Sequence, residues 1–443
     1  MGWIMNLELD DIQNGALRPR PIPYVGAYIL LRVDDRRAGR ELLRRLIPAL
    51  GNAAHPADPA AKAWVSTALT FQGLKALGVP QDSLDSFPLA FQQGMAARAA
   101  MLGDVGENGP DHWEWPLGSP DVHIAVSAIS PGTAQLEAVF APAREVLREM
   151  PGIEAIWRQD CHVPADLRNP FGFKDGIASP GIEGSGIPGT NPQEQPIKAG
   201  EFFLGYTNEL DVLPAMPAPE MLGRNGSYFA MLKYHTRVAA FRQYVHASAT
   251  RPEDEDRLAA KIVGRWPSGA PLALAPERDD PELGADRRRN DDFLYEADDP
   301  RGLRCPMGSH ARRMNPRDAK ITGISRLHRV LRRGMAYGPM LPAGVLEDDG
   351  ADRGMVFAFV GADLERQFEF IKREWVNDGL FFGAKGERDP MIGPNDGTGQ
   401  FTIPQEPIRQ RLKGLPGFVT NRGGEYFFAP GLRALRWLAD LNT

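Results

Sequence analysis

Short apolar runs alternate along this chain with longer stretches in which apolar positions recur every three or four residues. Ala27-Tyr28-Ile29-Leu30-Leu31-Arg32-Val33 predicts a strand, and Leu42, Leu43, Leu46 and Leu50 behind it predict a helix. Val122–Ile129 predicts a second strand. A helix then follows with its stripe at Leu136, Val139, Phe140, Ala143, Val146 and Leu147, before Ile153–Trp157 returns as a strand. A similar series recurs in the other half. Ser227–Tyr234 and Met355–Val360 read as strands, Leu364, Phe368, Ile371 and Trp375 share one helix face, and Glu425–Phe428 precedes a helix through Leu432, Leu435 and Leu438. Strands separated by amphipathic helices predict two α+β units, each a mainly antiparallel sheet with helices on one face. Pro214, Pro217, Pro219 and Gly223 cluster between the halves, so domains are expected at 1–220 and 221–443.

Composition narrows the class. A chain of 443 residues with 42% hydrophobic content supports a sizeable core and more than one domain. The net charge of −6 argues against a nucleic-acid partner, which needs a basic field. No apolar run is long enough to cross a membrane, and the acidic start lacks the basic and apolar segments of a secretory leader. A cytoplasmic protein is expected. Cys161 and Cys305 form neither a zinc set nor a disulfide framework, and neither lies in a Cys-x-x-Cys-His pattern for covalent haem. The mixed-charge run 276–292 and the Pro- and Gly-rich run 179–195 read as loops.

The candidate chemistry is carried by two segments. Arg301–Arg317 places His310 among glycines, prolines and arginines, as suits a pocket where imidazole binds a metal and cations meet carboxylates. Phe171-Gly172-Phe173-Lys174-Asp175-Gly176-Ile177 presents a carboxylate in a glycine-framed turn. Gly-x-x-Asp-Gly at 172–176, Cys-Pro-Met-Gly-Ser-His ending at His310, and Leu331-Arg332-Arg333-Gly334-Met335-Ala336-Tyr337-Gly338 follow in order. This set resembles the dye-decolorizing peroxidases, a family of haem peroxidases. Asp10–Gly15 resembles the family's opening and Arg422–Phe428 its closing strand, so nearly the whole chain is covered. The length looks most like the longer, intracellular bacterial branch.

The resemblance implies two ferredoxin-like domains with one non-covalent haem b bound mainly by the second half. It implies His310 as the axial ligand of the iron, with Asp389 or Asp396 supporting its other nitrogen. Asp175 is then the distal proton shuttle, since a carboxylate stays basic where histidine is protonated. Arg332 stabilises charge on the departing oxygen. Arg333, pointing to the opposite side of a strand, falls to the surface or to a propionate. Some members carry asparagine two residues after the distal arginine; here that position is Gly334. Phe357 and Phe359 share a strand face beside the distal pocket, and Ile177 lines it too. Arg326 and His328 are expected to share a face and reach propionates. Tyr337 is a candidate surface oxidation site, relaying electrons from bulky dyes, with Trp266 and Trp375 as weaker candidates. The implied reaction reduces hydrogen peroxide and oxidises phenolic compounds or dyes in one-electron steps through an oxoferryl intermediate. A haem carrier would have no use for the Asp175–Arg332 pair. A metal hydrolase lacks any close-spaced ligand set among the eight histidines.

Overall fold

The computed structural model describes residues 6–20, 22–54, 63–320 and 323–441. Residues 1–5, which begin the acidic N-terminal stretch, lie outside the described residues. Strands β1 (Tyr24–Val33), β2 (Trp64–Leu69), β3 (Ile124–Ser130) and β4 (Ile153–Val163) pair antiparallel in the order β2-β3-β1-β4. A helix over Arg36–Leu46 joins β1 to β2, its first turn fixed by Asp35 accepting from the Ala38 amide at 2.9 Å. Another, Thr133–Glu149, joins β3 to β4. This is a ferredoxin-like arrangement: strand, helix, two strands, helix, strand.

The second half repeats it. β5 (Ser227–Thr236), β6 (Leu331–Arg332), β7 (Met335–Tyr337) and β8 (Gly354–Gly361) are followed by a separate hairpin, β9 (Gly399–Ile403) with β10 (Gln410–Leu415), and by β11 (Val419–Ala429). β11 pairs with β5, β5 with β8, and β8 with both β6 and β7, all antiparallel. The strand expected at Glu425–Phe428 is thus much longer, with an irregularity between Asn421 and Gly424. Gly423 takes φ of 129° there, and a Cβ would stand 2.5 Å from that of Leu117.

The two sheets close into a barrel through two narrow seams. Phe428 opposite Leu69 joins β11 to β2, and His162 opposite Ala336 joins β4 to β7. Alternation then assigns the faces. Tyr28, Leu30, Trp64, Met231, Met335 and Val356 point inward to one cluster, while Ala27, Leu31 and Val33 pack outward under Leu42, Leu43 and Leu46. In β8, Val356 and Ala358 face the barrel, whereas Phe357 and Phe359 face the helices outside.

The apolar stripe from Leu364 to Trp375 was expected as one α-helix; it forms two π-helical stretches, Leu364–Glu369 and Ile371–Val376. Polar side chains on its other faces are buried as well. Gln367 donates to the carbonyls of Glu201 and Arg329 at 2.6 and 2.7 Å, and Lys372 to Asp104 at 2.7 Å. A wider turn lets these partners and the apolar stripe both be reached.

Candidate active site

His310 begins a short helix, His310–Met314, and the arginines behind it clamp that helix. Arg312 donates to the Asp299 carboxylate at 3.1 Å and to the Cys305 carbonyl at 2.8 Å. Arg313 donates to the carbonyls of Gly308, Trp375, Asp378 and Glu387 at 2.7–3.1 Å and lies over the Phe382 ring. Burial pushes its guanidinium down to about 10, against the pull of Asp389 and Glu387. Arg313 therefore ties the histidine helix to the loop bearing Asp389, a role sequence reading missed. Cys305 is wholly buried, and burial raises its thiol pKa, so it offers no thiolate.

Asp389, not Asp396, meets His310. Its two carboxylate oxygens lie 3.1 and 3.0 Å from Nδ1. Oδ1 also accepts from the amides of Met391 and Ile392 at 2.8 and 2.9 Å. Burial works against its ionisation, but His310, Arg313 and the backbone donor outweigh it and hold the carboxyl below its ordinary value. Asp396 instead accepts from the amide and hydroxyl of its own turn partner, Thr398, at 3.0 and 2.6 Å. With Nδ1 so engaged, Nε2 carries no hydrogen bond among the described residues and is left to bind a metal.

Arg332, on β6, stands opposite Phe359 of β8, so the two share a face. Among the described residues its guanidinium makes one hydrogen bond, 3.3 Å to the carbonyl of Ala178. Its side chain keeps open surface although protein encloses it; desolvation lowers its pKa, and the nearby Asp175 carboxylate opposes that. Asp175 is itself open, its carboxylate accepting from the Gly176 amide at 2.6 Å. Phe357 and Phe359 stack with ring centroids 5.7 Å apart, placing an aromatic pair beside Arg332. Ile177 is half-buried against Gly269, at the end of the same loop. A Cβ at Gly334 would approach the Phe357 ring to 3.0 Å, which leaves little room for a larger residue.

Several expected partners stand elsewhere. Residues 325–328 form a 3₁₀ turn, not a strand, so Arg326 and His328 do not share a face. Arg326 pairs with Glu209 at 2.8 Å, and His328 stacks on Phe370 at 3.6 Å. Arg329 and Arg317 are occupied by Glu194 and Asp291. Arg333 reaches the carbonyls of Ala16 and Leu17 inside the barrel, not a propionate or the surface. Tyr337, the candidate surface oxidation site, is only 2% exposed, because β7 turns its ring inward under Lys233. Trp266 and Trp375 are buried too. The structure thus assembles two groups, His310 with Asp389 and Arg332 with Asp175 and the phenylalanines, and no hydrogen bond or ring contact among the described residues joins them.

No family model matches the chain. It is 30% identical over 402 residues to dye-decolorizing peroxidase msp1 of Mycetinis scorodonius, covering 84% of this chain and 75% of that one. A bacterial relative, the multifunctional dye peroxidase DyP2 of an Amycolatopsis species, is 28% identical over 404 residues, 85% of this chain and 82% of its own. Among solved structures, the DyP-type peroxidase of Auricularia auricula-judae superposes with a TM-score of 0.85 at 25% identity, covering 98% of this chain and all of that one. An ancestral D-type enzyme gives 0.83 at 29% identity, covering 97% and 99%. The chain belongs to the dye-decolorizing peroxidase family, whose members are haem peroxidases. Fungal and bacterial relatives both match, which singles out no branch. The residues present fit a haem: an oriented imidazole with a free nitrogen, two stacked phenylalanine rings, and a cation to which no anion is bonded among the described residues.

Proposed function

We propose that this protein reduces hydrogen peroxide while oxidising phenolic compounds and dyes in one-electron steps. The observation that carries the reading is the His310 imidazole, held at Nδ1 by a fully buried carboxylate with Nε2 left over. In this reading one non-covalent haem b per chain is held by Nε2 of His310, against Phe357, Phe359 and Ile177. Haem, when bound, supplies the iron at which the peroxide O–O bond is cleaved and the oxidising equivalents are kept. Asp389 orients the imidazole and raises its basicity. Asp175 takes the proton from one peroxide oxygen and returns it to the other, so that water leaves. Arg332, enclosed and lightly bonded, stabilises negative charge on the departing oxygen.

A relative has been solved in complex with 2,6-dimethoxyphenol, and that phenol is the reductant we assign here as a test substrate. Bulky dyes stay outside and give up electrons through intervening side chains; with Tyr337 buried, the Tyr337 relay needs a further surface group. The two ferredoxin-like units are read as domains, 1–220 and 221–443. Among the described residues no helix is long and apolar enough to cross a membrane. We assign the protein to the cytoplasm, in keeping with two buried, unpaired cysteines. The test is peroxide-dependent oxidation of 2,6-dimethoxyphenol by the haem-loaded protein, its Arg332→Leu and Asp175→Asn variants, and His310→Ala. Loss in all three is expected. Wild-type turnover in both distal variants would undo the assignment.

A further inference from the structure

On the side of the sheet away from Arg332, the barrel carries a partly open cavity of about 60 Å³. Ser66, Ser127 and Tyr28 stand in register across β2, β3 and β1 and line it together with Arg20. Its remaining walls are mainly apolar, with Ala68, Ala125 and Ala358 among them. Gly15 closes one side, where a Cβ would come within 2.3 Å of the Ser66 hydroxyl.

The charges around this cavity do not balance. Arg20 donates to the Tyr24 hydroxyl at 3.0 Å, and Arg333 to the Leu17 carbonyl at 2.9 Å. Among the described residues neither guanidinium has a carboxylate partner, and Nε of Arg333 has no partner at all. Burial, then the charge of Arg20, pushes Arg333 down to about 9. Cys161, opposite Gly26 on β4, supplies no negative charge, since burial raises its thiol to about 12. The Tyr28 hydroxyl is buried beside the Arg20 guanidinium, short of a well-formed hydrogen bond, in a residue only 5% exposed. Buried cations are normally matched by an anion; here hydroxyls and carbonyls take up the guanidiniums, and among the described residues no carboxylate supplies the opposite charge.

We propose that this cavity is a second ligand site, one that takes a small aliphatic carboxylate. Its anionic end meets Arg20 and the Tyr28 hydroxyl; its methyl end packs among the alanines. The volume has room for roughly four to six water-sized groups, which spans acetate to butyrate. The proposal does not rest on the peroxidase reading.

The test is calorimetric titration of the haem-loaded protein with sodium acetate in a bulky sulfonate buffer, cyanide occupying the haem. Acetamide, of the same shape but uncharged, is the control. Saturable binding of one acetate per chain is expected, with none of acetamide. Arg20→Gln weakens it by about tenfold or more, because a charge-assisted hydrogen bond is lost. Tyr28→Phe, which removes only a hydroxyl, weakens it severalfold and decides the matter if Arg20→Gln does not fold. No saturable acetate binding would overturn the proposal, as would binding unchanged in these variants or equal binding of acetamide. Chloride binding that depends on Arg20 while acetate does not bind would overturn the carboxylate assignment.

Discussion

Asp389→Asn replaces a carboxylate by an amide of the same shape, and the structure says which way the amide turns. The oxygen at the Oδ1 position accepts from the Met391 and Ile392 amides at 2.8 and 2.9 Å, so the asparagine oxygen stays there. The amide nitrogen then takes the place of Oδ2, 3.0 Å from Nδ1 of His310. Two donors cannot share that contact, and Oδ1, 3.1 Å away, already accepts from two amides, so the tautomer with Nδ1 as acceptor and the proton on Nε2 is favoured. The nitrogen needed for iron loses its lone pair. Loss of such a carboxylate partner weakens metal affinity by about 10–100-fold, equivalent to about 1.4–2.8 kcal/mol. The assay is haem transfer from the loaded variant to excess apomyoglobin, followed by absorption. Met391 and Ile392 keep their acceptor, so thermal melting of the haem-free variant should change little, separating ligation from folding. Haem held as tightly as in the wild type would refute the argument.

Arg332→Leu should slow the reaction with peroxide by about 10²–10³-fold, the usual cost of losing a donor to a developing oxyanion; stopped-flow mixing reads it. Asp175→Asn should slow the same step with a changed pH profile, and an unaltered rate and profile would remove it as proton shuttle. Burial raises the Glu425 carboxyl from 4.5 to about 7. The folded state then holds a proton that the unfolded chain has released, so the contribution is full below about 4.5 and lost as pH rises toward 7. At about 1.36 kcal/mol per unit this amounts to about 3 kcal/mol, and Glu425→Gln should flatten that slope in urea unfolding. Tyr337→Phe should spare 2,6-dimethoxyphenol and weaken turnover of bulky dyes; equal loss on both would dismiss the relay.

Much of this architecture was legible because it repeats short-range patterns. The strands at 27–33, 153–157 and 355–360 were found from apolar runs, each lengthened in the structure to β1, β4 and β8. Six-residue β2 was missed, since Trp64–Leu69 mixes Ser66 and Thr67 into a run too short to show a period. Barrel closure rests on single residue pairs between the halves, and no local pattern announces such contacts. At the site, period-two alternation correctly divided Arg332 from Arg333, because both lie where the strand meets β8. The same rule failed for Arg326 and His328, where the chain turns as 3₁₀ helix. The choice between Asp389 and Asp396 was open in sequence; only the tertiary path brings Asp389 to His310, 79 residues away. The arginines after His310 looked free for an anion because sequence does not reveal the carbonyls that occupy Arg313.

The most direct measurement mixes the haem-loaded protein with one equivalent of hydrogen peroxide and follows the Soret band by stopped flow. The account predicts a prompt fall of that band in the wild type, a much slower one in Arg332→Leu, and restoration on adding 2,6-dimethoxyphenol. A Soret band that forms but ignores peroxide, or one equally fast in Arg332→Leu, would contradict it.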